Sequence, residues 1–114
     1  QGHVDTTVEV LERTDRAEHS EMAFSLSEAM APYVVEKGSV ALDGVSLTVA
    51  GLRRGAFSVW LIPHTLEVTT LGLLVPGDRV NFEADVLAKY VVANLDRVGE
   101  AFAPGGQGGT GEEE

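Results

Sequence analysis

The stretch Lys37-Gly38-Ser39-Val40-Ala41-Leu42-Asp43-Gly44-Val45-Ser46-Leu47-Thr48-Val49 carries the pattern that decides the fold. Apolar and polar residues alternate on both sides of Asp43-Gly44, as they do in two strands that each bury one face. An Asp-Gly pair between such strands is typical of a tight hairpin turn, because glycine adopts positive φ without steric cost. The stretch therefore predicts a β-hairpin in the middle of the chain.

The second strand of this hairpin has two chemically different faces. Val45, Leu47 and Val49 share one face, so Ser46 and Thr48 must project together from the other. Paired hydroxyls on one strand can hydrogen-bond a polyhydroxyl chain or the rim of a heterocycle. Threonine is also a common strand residue, and the pattern alone leaves a purely structural role open. We expect the hydroxyl face to line a pocket if it binds a ligand.

The other candidate polar residues are a lysine and three histidines. Lys37, at the start of the hairpin, is either a solvated side chain or a flexible cation that donates to a carbonyl or an anionic heterocycle. His3 and His64 have side chains that can move a proton near neutral pH, whereas His19 lies in a polar segment and is expected to be exposed. The histidines do not show metal-ligand spacing, and we predict no metal site.

The composition narrows the class of protein. The 114 residues predict one domain, and 44% hydrophobic and 23% charged residues are typical of a globular chain. A formal net charge of −10 argues against nucleic acid and against anionic membrane surfaces as partners. No apolar run is long enough to span a membrane, no signal peptide is visible, and there is no cysteine. These features predict a soluble, cytosolic protein, and the absence of an initial Met favours a fragment, a processed chain or a renumbered domain.

Short strands separated by turn residues account for most of the chain. We predict strands at 3–12, 22–27, 39–42, 45–52, 57–62 and 79–85, with a polar loop or hairpin tip at 13–21. A short helix is expected after Ser27, stopped by Pro32, and the segment 64–71 is either a short helix or a strand. Apolar residues spaced by three or four predict a C-terminal helix over 86–99 with Asp85 as its N-cap, followed by a disordered Gly-rich acidic tail over 100–114.

Six strands of this length favour an all-β fold. Closure into a small antiparallel barrel removes exposed strand edges, so a barrel over 1–85 is the predicted architecture. A two-sheet sandwich is the alternative.

Four segments in register resemble the C-terminal lumazine-binding barrel of the riboflavin synthase family. They are Gly2-His3-Val4-Asp5, the central hairpin over 37–49, the segment Leu61-Ile62-Pro63-His64-Thr65-Leu66-Glu67-Val68-Thr69-Thr70-Leu71-Gly72, and Gly77-Asp78-Arg79-Val80-Asn81-Phe82-Glu83-Ala84-Asp85. The resemblance implies a six-stranded antiparallel Greek-key barrel. In that family two barrels normally occur in tandem before a C-terminal helix, and the N-terminal barrel of a neighbouring subunit in a homotrimer completes the active site.

The same resemblance implies a reaction. Two molecules of 6,7-dimethyl-8-ribityllumazine dismutate to riboflavin and 5-amino-6-ribitylamino-uracil, without a metal or redox cofactor. By matching position, substrate binding is expected at Gly2, His3, Val4, Lys37, Ser46, Leu47, Thr48, Ile62, Pro63, His64, Thr65, Leu66 and Glu67. A catalytic role is expected for Lys37, which can stabilise an anion, and for Ser46, Thr48 and His3, which can assist proton transfer or water addition. A single-barrel lumazine or flavin carrier, and a structural barrel without a ligand, are the alternatives.

Overall fold

The computed structural model describes residues 3–95 and residue 97 of the chain, and these form a closed six-stranded β-barrel. The strands are β1 (Thr6–Asp15), β2 (Ser20–Ser25), β3 (Ser39–Leu42), β4 (Val45–Arg53), β5 (Ala56–Leu61) and β6 (Arg79–Ala84). Helix α1 (Pro63–Val68) follows β5, helix α2 (Val86–Ala93) follows β6, and two short 3-10 helices occupy Ala31–Tyr33 and Thr70–Leu73. The closed barrel confirms the predicted architecture and replaces the sandwich alternative.

The strands pair in the order β1-β2-β5-β4-β3-β6, with β6 closing on β1, and every pairing is antiparallel. Strands β3, β4 and β5 form a meander, and β6 returns to lie beside β3, which is the arrangement that defines a Greek key. The β1–β2 turn, the β3–β4 turn and α1 share one end of the barrel, which we call the α1 end.

The interior of the barrel is filled by side chains and contains the core. Phe24 stacks on Phe57 with 5.5 Å between ring centroids, and Phe57 lies 5.8 Å from Phe82. The largest fully buried side chains come from all six strands and from the segment after α1: Phe24, Phe57, Phe82, Met22, Leu42, Leu61, Leu71, Val10, Val40, Val49 and Val59. A barrel of this size has room inside only for such side chains, so a ligand must bind at an end or on the outer surface.

The central hairpin forms as the sequence predicts. Asp43 and Gly44 have φ angles of 48° and 81°, the two positive values that a type I′ turn requires. Asp43 also joins the turn to β6, because its backbone N–H donates to the carbonyl of Asn81 at 2.9 Å and its Oδ1 accepts from the Asn81 N–H at 2.8 Å. The turn is therefore attached to the barrel rather than projecting into solvent.

The predicted hairpin tip at 13–21 is wrong in extent. Strand β1 continues to Asp15 and pairs with β2 down to Asp15 opposite Ser20, so only residues 16–19 form the turn. The hydroxyl of Ser20 donates to Oδ1 of Asp15 at 2.5 Å, and Arg13 Nε donates to the same oxygen at 2.9 Å. These bonds, given by Ser20 and then by Arg13, hold the pKa of the Asp15 carboxyl below its usual value. Polar residues suit a strand here because Arg13, Asp15 and Ser20, which the register places on one face, hydrogen-bond to one another.

The remaining boundaries differ from the predictions in small ways. The first strand begins at Thr6 rather than at residue 3, and Pro32 lies inside a 3-10 helix instead of stopping a helix before it. The ambiguous segment after Pro63 is helical, because proline suits the first turn of a helix, where its missing N–H costs nothing.

Asp85 caps α2 as predicted, with its side chain accepting from the Leu87 N–H at 3.1 Å. Helix α2 ends at Ala93, earlier than the predicted end at residue 99. Residues 96 and 98–99 of the predicted helix, and the predicted disordered tail over 100–114, lie outside the described residues.

Candidate functional site

The hydroxyl face of the central hairpin lies on the outside of the barrel. Val49 is fully buried and Val45 and Leu47 pack against the core, so Ser46 and Thr48 point outward and are exposed. In the described residues this face is an outer surface of the barrel, and its role in binding stays a prediction. The apolar side chains of β4 already fill the interior, which leaves only the outer surface to the hydroxyls.

Cross-strand pairing extends this polar surface over two further strands. Ser39 of β3 is directly opposite Thr48, and Ala41 is opposite both Ser46 and Glu83 of β6. Residues directly opposite one another in a ladder project to the same face of the sheet. The outer surface thus presents hydroxyls beside a half-buried carboxylate, with the small Ala41 side chain between them.

Lys37 stands at the edge of the same surface. Its backbone N–H donates to the carbonyl of Val49 and the Val49 N–H donates to the carbonyl of Gly38, each at 2.8 Å, which continues the β3–β4 ladder past Ser39. The φ angle of Lys37 is 71°, a left-handed conformation that non-glycine residues seldom adopt and that clusters at functional sites. Because the backbone N–H of Lys37 is already bonded, the ammonium group is the donor that this residue can offer to a ligand.

The segment Ile62–Glu67 begins where β5 ends, at the end of the barrel where β4 starts. Ile62 is exposed over 57% of its surface, and His64 and Glu67 are also exposed, whereas Leu66 packs against the core. Pro63 is exposed at the start of α1, and Thr65 is half-buried. The segment therefore starts at the end of β5, which is the strand next to β4 and its hydroxyl face.

Helix α1 is fixed by the segment that follows it. Gly72 lies so close to the carbonyl oxygen of Leu66 that an added Cβ could not be accommodated. Arg13 donates from Nη1 to the carbonyls of Gly72 and Leu74, each at 2.8 Å, and thereby attaches this segment to β1. The hydroxyl of Thr69 donates to the carbonyl of Thr65 at 2.7 Å and accepts from the N–H of Leu71. These hydrogen bonds attach α1 and the 3-10 helix over Thr70–Leu73 to the rest of the barrel.

His3 and Val4 lie in a different place. Both are exposed, and the following residue, Asp5, bonds to the end of β6 through its N–H and the Phe82 carbonyl at 2.8 Å. Strands β6 and β3 lie between this segment and β4, so the structure does not bring His3 to the hydroxyls. Gly2, the remaining predicted binding residue, lies outside the described residues.

The stacking of His19 on Trp60 was not predicted from the sequence. His19, expected to be exposed, stacks on Trp60 with ring centroids 4.3 Å apart, and its Nε2 lies 2.9 Å from Glu21 Oε2. Arg16 donates to the same oxygen at 3.2 Å, and the bonds from His19 and from Arg16 lower the pKa of Glu21. The β2–β5 pairing that places Glu21 opposite Trp60 joins residues 39 positions apart, and no local pattern shows it.

The best-formed clefts of the described residues lie elsewhere. One of about 640 Å³ lies beside the β4–β5 turn, between Leu26, Pro32 and Arg53. Neither this cleft nor three smaller ones is lined by Lys37, Ser46 or Thr48. The hydroxyl face is thus an open surface, which could enclose a flat ligand only if a second surface covered it. Within residues 3–95 and 97, no group of three metal-binding side chains occurs, and no helix is long and apolar enough to cross a membrane.

A small closed β-barrel with an open, hydroxyl-bearing outer face is the class that this fold and site define. Residues 1–85 match the family model described as the lumazine binding domain. The chain belongs to the lumazine-binding domain family, which confirms the resemblance seen in the sequence.

Relatives and solved structures agree with this assignment. The chain is 49% identical over 89 residues to a riboflavin synthase of Brucella abortus (strain 2308), covering 78% of this chain and 44% of the relative. It is 50% identical over 94 residues to a riboflavin synthase of Mycobacterium tuberculosis (strain ATCC 25618 / H37Rv), covering 80% of this chain and 47% of the relative. The chain therefore spans about half the length of the relatives that it matches.

The fold is also similar to that of LumP in complex with 6,7-dimethyl-8-(1'-D-ribityl) lumazine. The TM-score is 0.71 at 16% identity, and the match covers 75% of this chain and 48% of LumP. A structure of LumP in complex with riboflavin matches equally well, with a TM-score of 0.71. At this identity the likeness concerns the fold.

Proposed function

We propose that this barrel binds 6,7-dimethyl-8-ribityllumazine on its hydroxyl face and forms one half of a riboflavin synthase active site. The observation that carries the proposal is the placement of Ser46 and Thr48 on one open surface with Lys37 at its edge. Family membership and the two riboflavin synthases at about 50% identity support the choice of ligand.

The surface suits a ligand with a flat ring and a sugar-alcohol arm. The hydroxyls of Ser46 and Thr48 can each donate and accept, as a ribityl chain or ring carbonyls require. Exposed Ile62 offers an apolar contact for the ring. The open geometry supports the further proposal that a second barrel, from a neighbouring subunit of a trimer, covers the ligand and contributes the second substrate molecule.

The chemistry proposed for the site is a dismutation in which one lumazine transfers a four-carbon unit to another. A proton leaves the C7-methyl group, and the resulting anion is delocalised over the ring. The Lys37 ammonium is suited to stabilise that anion electrostatically. Ser46 and Thr48 are suited to proton transfer or water addition, and holding two rings face to face supplies much of the acceleration by orientation. A proton-transfer role for His3 needs the N-terminal segment or a second subunit to bring it closer.

A titration tests the binding step. Riboflavin fluorescence is followed while the chain is added, and saturable quenching is expected because the binding residues named above all lie in this barrel. No change at high micromolar concentration contradicts the proposal. Turnover of the lumazine, measured on the same preparation, distinguishes half of an enzyme site from a carrier. Half of an enzyme site is supported if the chain alone binds tightly with negligible turnover and if adding a partner barrel restores turnover. Tight binding that a partner barrel leaves inactive favours a carrier.

A further inference from the structure

Trp60 is a large aromatic residue on the outer surface of a strand. Its neighbours Val59 and Leu61 are 0% and 1% exposed, whereas Trp60 is 59% exposed. Tryptophan is the side chain with the most apolar area to bury, and it is enriched where proteins bind other molecules. The exposed indole is therefore a feature that the fold of the barrel does not require.

The indole borders the hydroxyl face. Strands β4 and β5 pair through Val49 opposite Val59, both buried. This is the last pair of the β4–β5 ladder, and the next residue beyond it is Thr48 on one strand and Trp60 on the other. Each adjoins a buried valine in its strand, so both side chains project to the outer face. Ile62, two residues after Trp60, is also exposed and lies on the same side of the chain.

One face of the indole is already covered, and the ring is held in place. His19 stacks against it at 4.3 Å with an angle of 22° between the rings. His19 is itself fixed by Glu21, which also binds Arg16. The His19 side chain is only 22% exposed, while Trp60 keeps most of its surface open to solvent. A rigid ring with one free face is preorganised to stack on a second planar group, since little side-chain freedom is lost on binding.

We propose that Trp60 is a ligand-binding residue of this site, whose free face stacks on the planar heterocycle held over Ser46 and Thr48. His19 is a positioning residue that orients the indole through the stack and through its bond to Glu21. The inference rests on the proposed function and deepens it, because it adds an aromatic stacking contact to the hydroxyls, the cation and Ile62.

The test measures riboflavin affinity by isothermal titration calorimetry, a signal that does not depend on quenching by the tryptophan. Trp60→Leu is expected to weaken binding about 5- to 150-fold, the range found when aromatic side chains that stack on nucleobases are removed. Trp60→Phe, which keeps a ring, is expected to keep most of the affinity. His19→Ala is expected to weaken binding less than Trp60→Leu, because it loosens the indole without removing it.

The control is Leu52→Ala, which removes another exposed apolar side chain, near the far end of β4, and is expected to leave the affinity unchanged. A second signature is spectroscopic: indole in contact with a flavin quenches its emission by electron transfer, so flavin bound to Trp60→Phe is expected to be brighter than flavin bound to the wild type. Thermal unfolding confirms that each variant is folded.

The outcomes separate this inference from the proposed function. If wild type binds riboflavin and Trp60→Leu binds equally well, the inference is overturned while the proposed function stands. If Trp60→Leu fails to fold, Trp60→Phe is compared with the wild type instead. Equal affinity together with equal brightness of the bound flavin then overturns the inference. If wild type does not bind riboflavin at all, the proposed function fails and the inference fails with it.

Discussion

The carboxylate of Asp5 connects the segment before β1 to helix α2, with Oδ1 lying 2.8 Å from the Nζ of Lys89. Its other oxygen accepts the Ala84 N–H at the end of β6, also at 2.8 Å. Burial raises the pKa of this carboxyl, but the bonds from Lys89 and Ala84 and the charges of Lys89 and His3 outweigh it. The pKa of Asp5 therefore lies below its ordinary value of 3.8. One residue thus fixes both the His3 segment and α2 to the barrel.

This carboxylate makes the stability of the barrel sensitive to acid. Because the pKa of Asp5 is lower in the folded chain, the unfolded chain binds more protons as the pH falls below about 4. The stabilisation is present above the ordinary pKa and is lost as the pH falls through the folded value. Asp5→Asn is expected to lower the free energy of unfolding by about 1–3 kcal/mol at pH 7 and by less at pH 3, as measured by urea unfolding.

A matched control is Glu28→Gln, because Glu28 is exposed and makes no ion pair or side-chain hydrogen bond within the described part of the chain. This variant is expected to follow the pH dependence of the wild type. The pKa values of Asp15 and Glu21 are also lowered, so the stability of Asp5→Asn is expected to keep some sensitivity to acid. A destabilisation by Asp5→Asn that is equal at pH 7 and pH 3 contradicts the linkage.

The turn of the central hairpin depends on the conformation of Gly44. Its φ of 81° is strained for any residue with a Cβ, although an added Cβ would meet no atom within 4 Å. Gly44→Ala is expected to cost about 1–2 kcal/mol of stability through backbone strain alone. Gly44→Asn, which tolerates positive φ, is expected to cost less. Thermal unfolding of the two variants checks the order, and equal losses would mean that strain at this turn is not the cause.

Local patterns predict the strands of this protein better than they predict the candidate site. Alternation and turn residues are local, so the Asp43-Gly44 hairpin, the Asp85 cap and the six strands are all visible in the sequence. The site instead depends on which strands pair: the stacking of His19 on Trp60 follows from the β2–β5 register, which local periodicity does not encode. The left-handed conformation of Lys37 is likewise invisible to a pattern of polar and apolar residues.

A substitution at Gly72 tests whether the position of α1 matters for riboflavin binding. A Cβ at this position would collide with the carbonyl oxygen of Leu66, and a backbone atom cannot rotate away. Gly72→Ala is expected to push the second 3-10 helix away from α1, to lower the unfolding temperature and to weaken riboflavin binding by moving Ile62. Gly77→Ala is the comparison, because its φ of 98° also strains an added side chain but no atom lies within 4 Å. Weakened binding in Gly77→Ala as severe as in Gly72→Ala would mean that general destabilisation, not the position of α1, controls affinity.

The hydroxyl face itself is tested by removing both hydroxyls while keeping the shape of β4. Ser46→Ala with Thr48→Val is expected to weaken riboflavin binding by about 1–3 kcal/mol, the scale of lost hydrogen bonds. Both side chains are exposed and Val suits a strand at least as well as Thr, so the stability of the barrel is expected to stay within about 0.5 kcal/mol of the wild type. Fluorescence titration and thermal unfolding of the same preparation measure the two quantities.

The two single variants and one control complete this test. Thr14→Val makes the same change at an exposed position of β1 that lacks a side-chain hydrogen bond among the described residues, and it is expected to leave binding unchanged. If Ser46 and Thr48 hold one ligand together, the loss in the double variant is expected to differ from the sum of the single losses, since neighbouring residues that share a partner are coupled. An unchanged dissociation constant in the double variant would mean that the ligand binds another surface of the barrel, and the open face beside Lys37 would then need a different explanation.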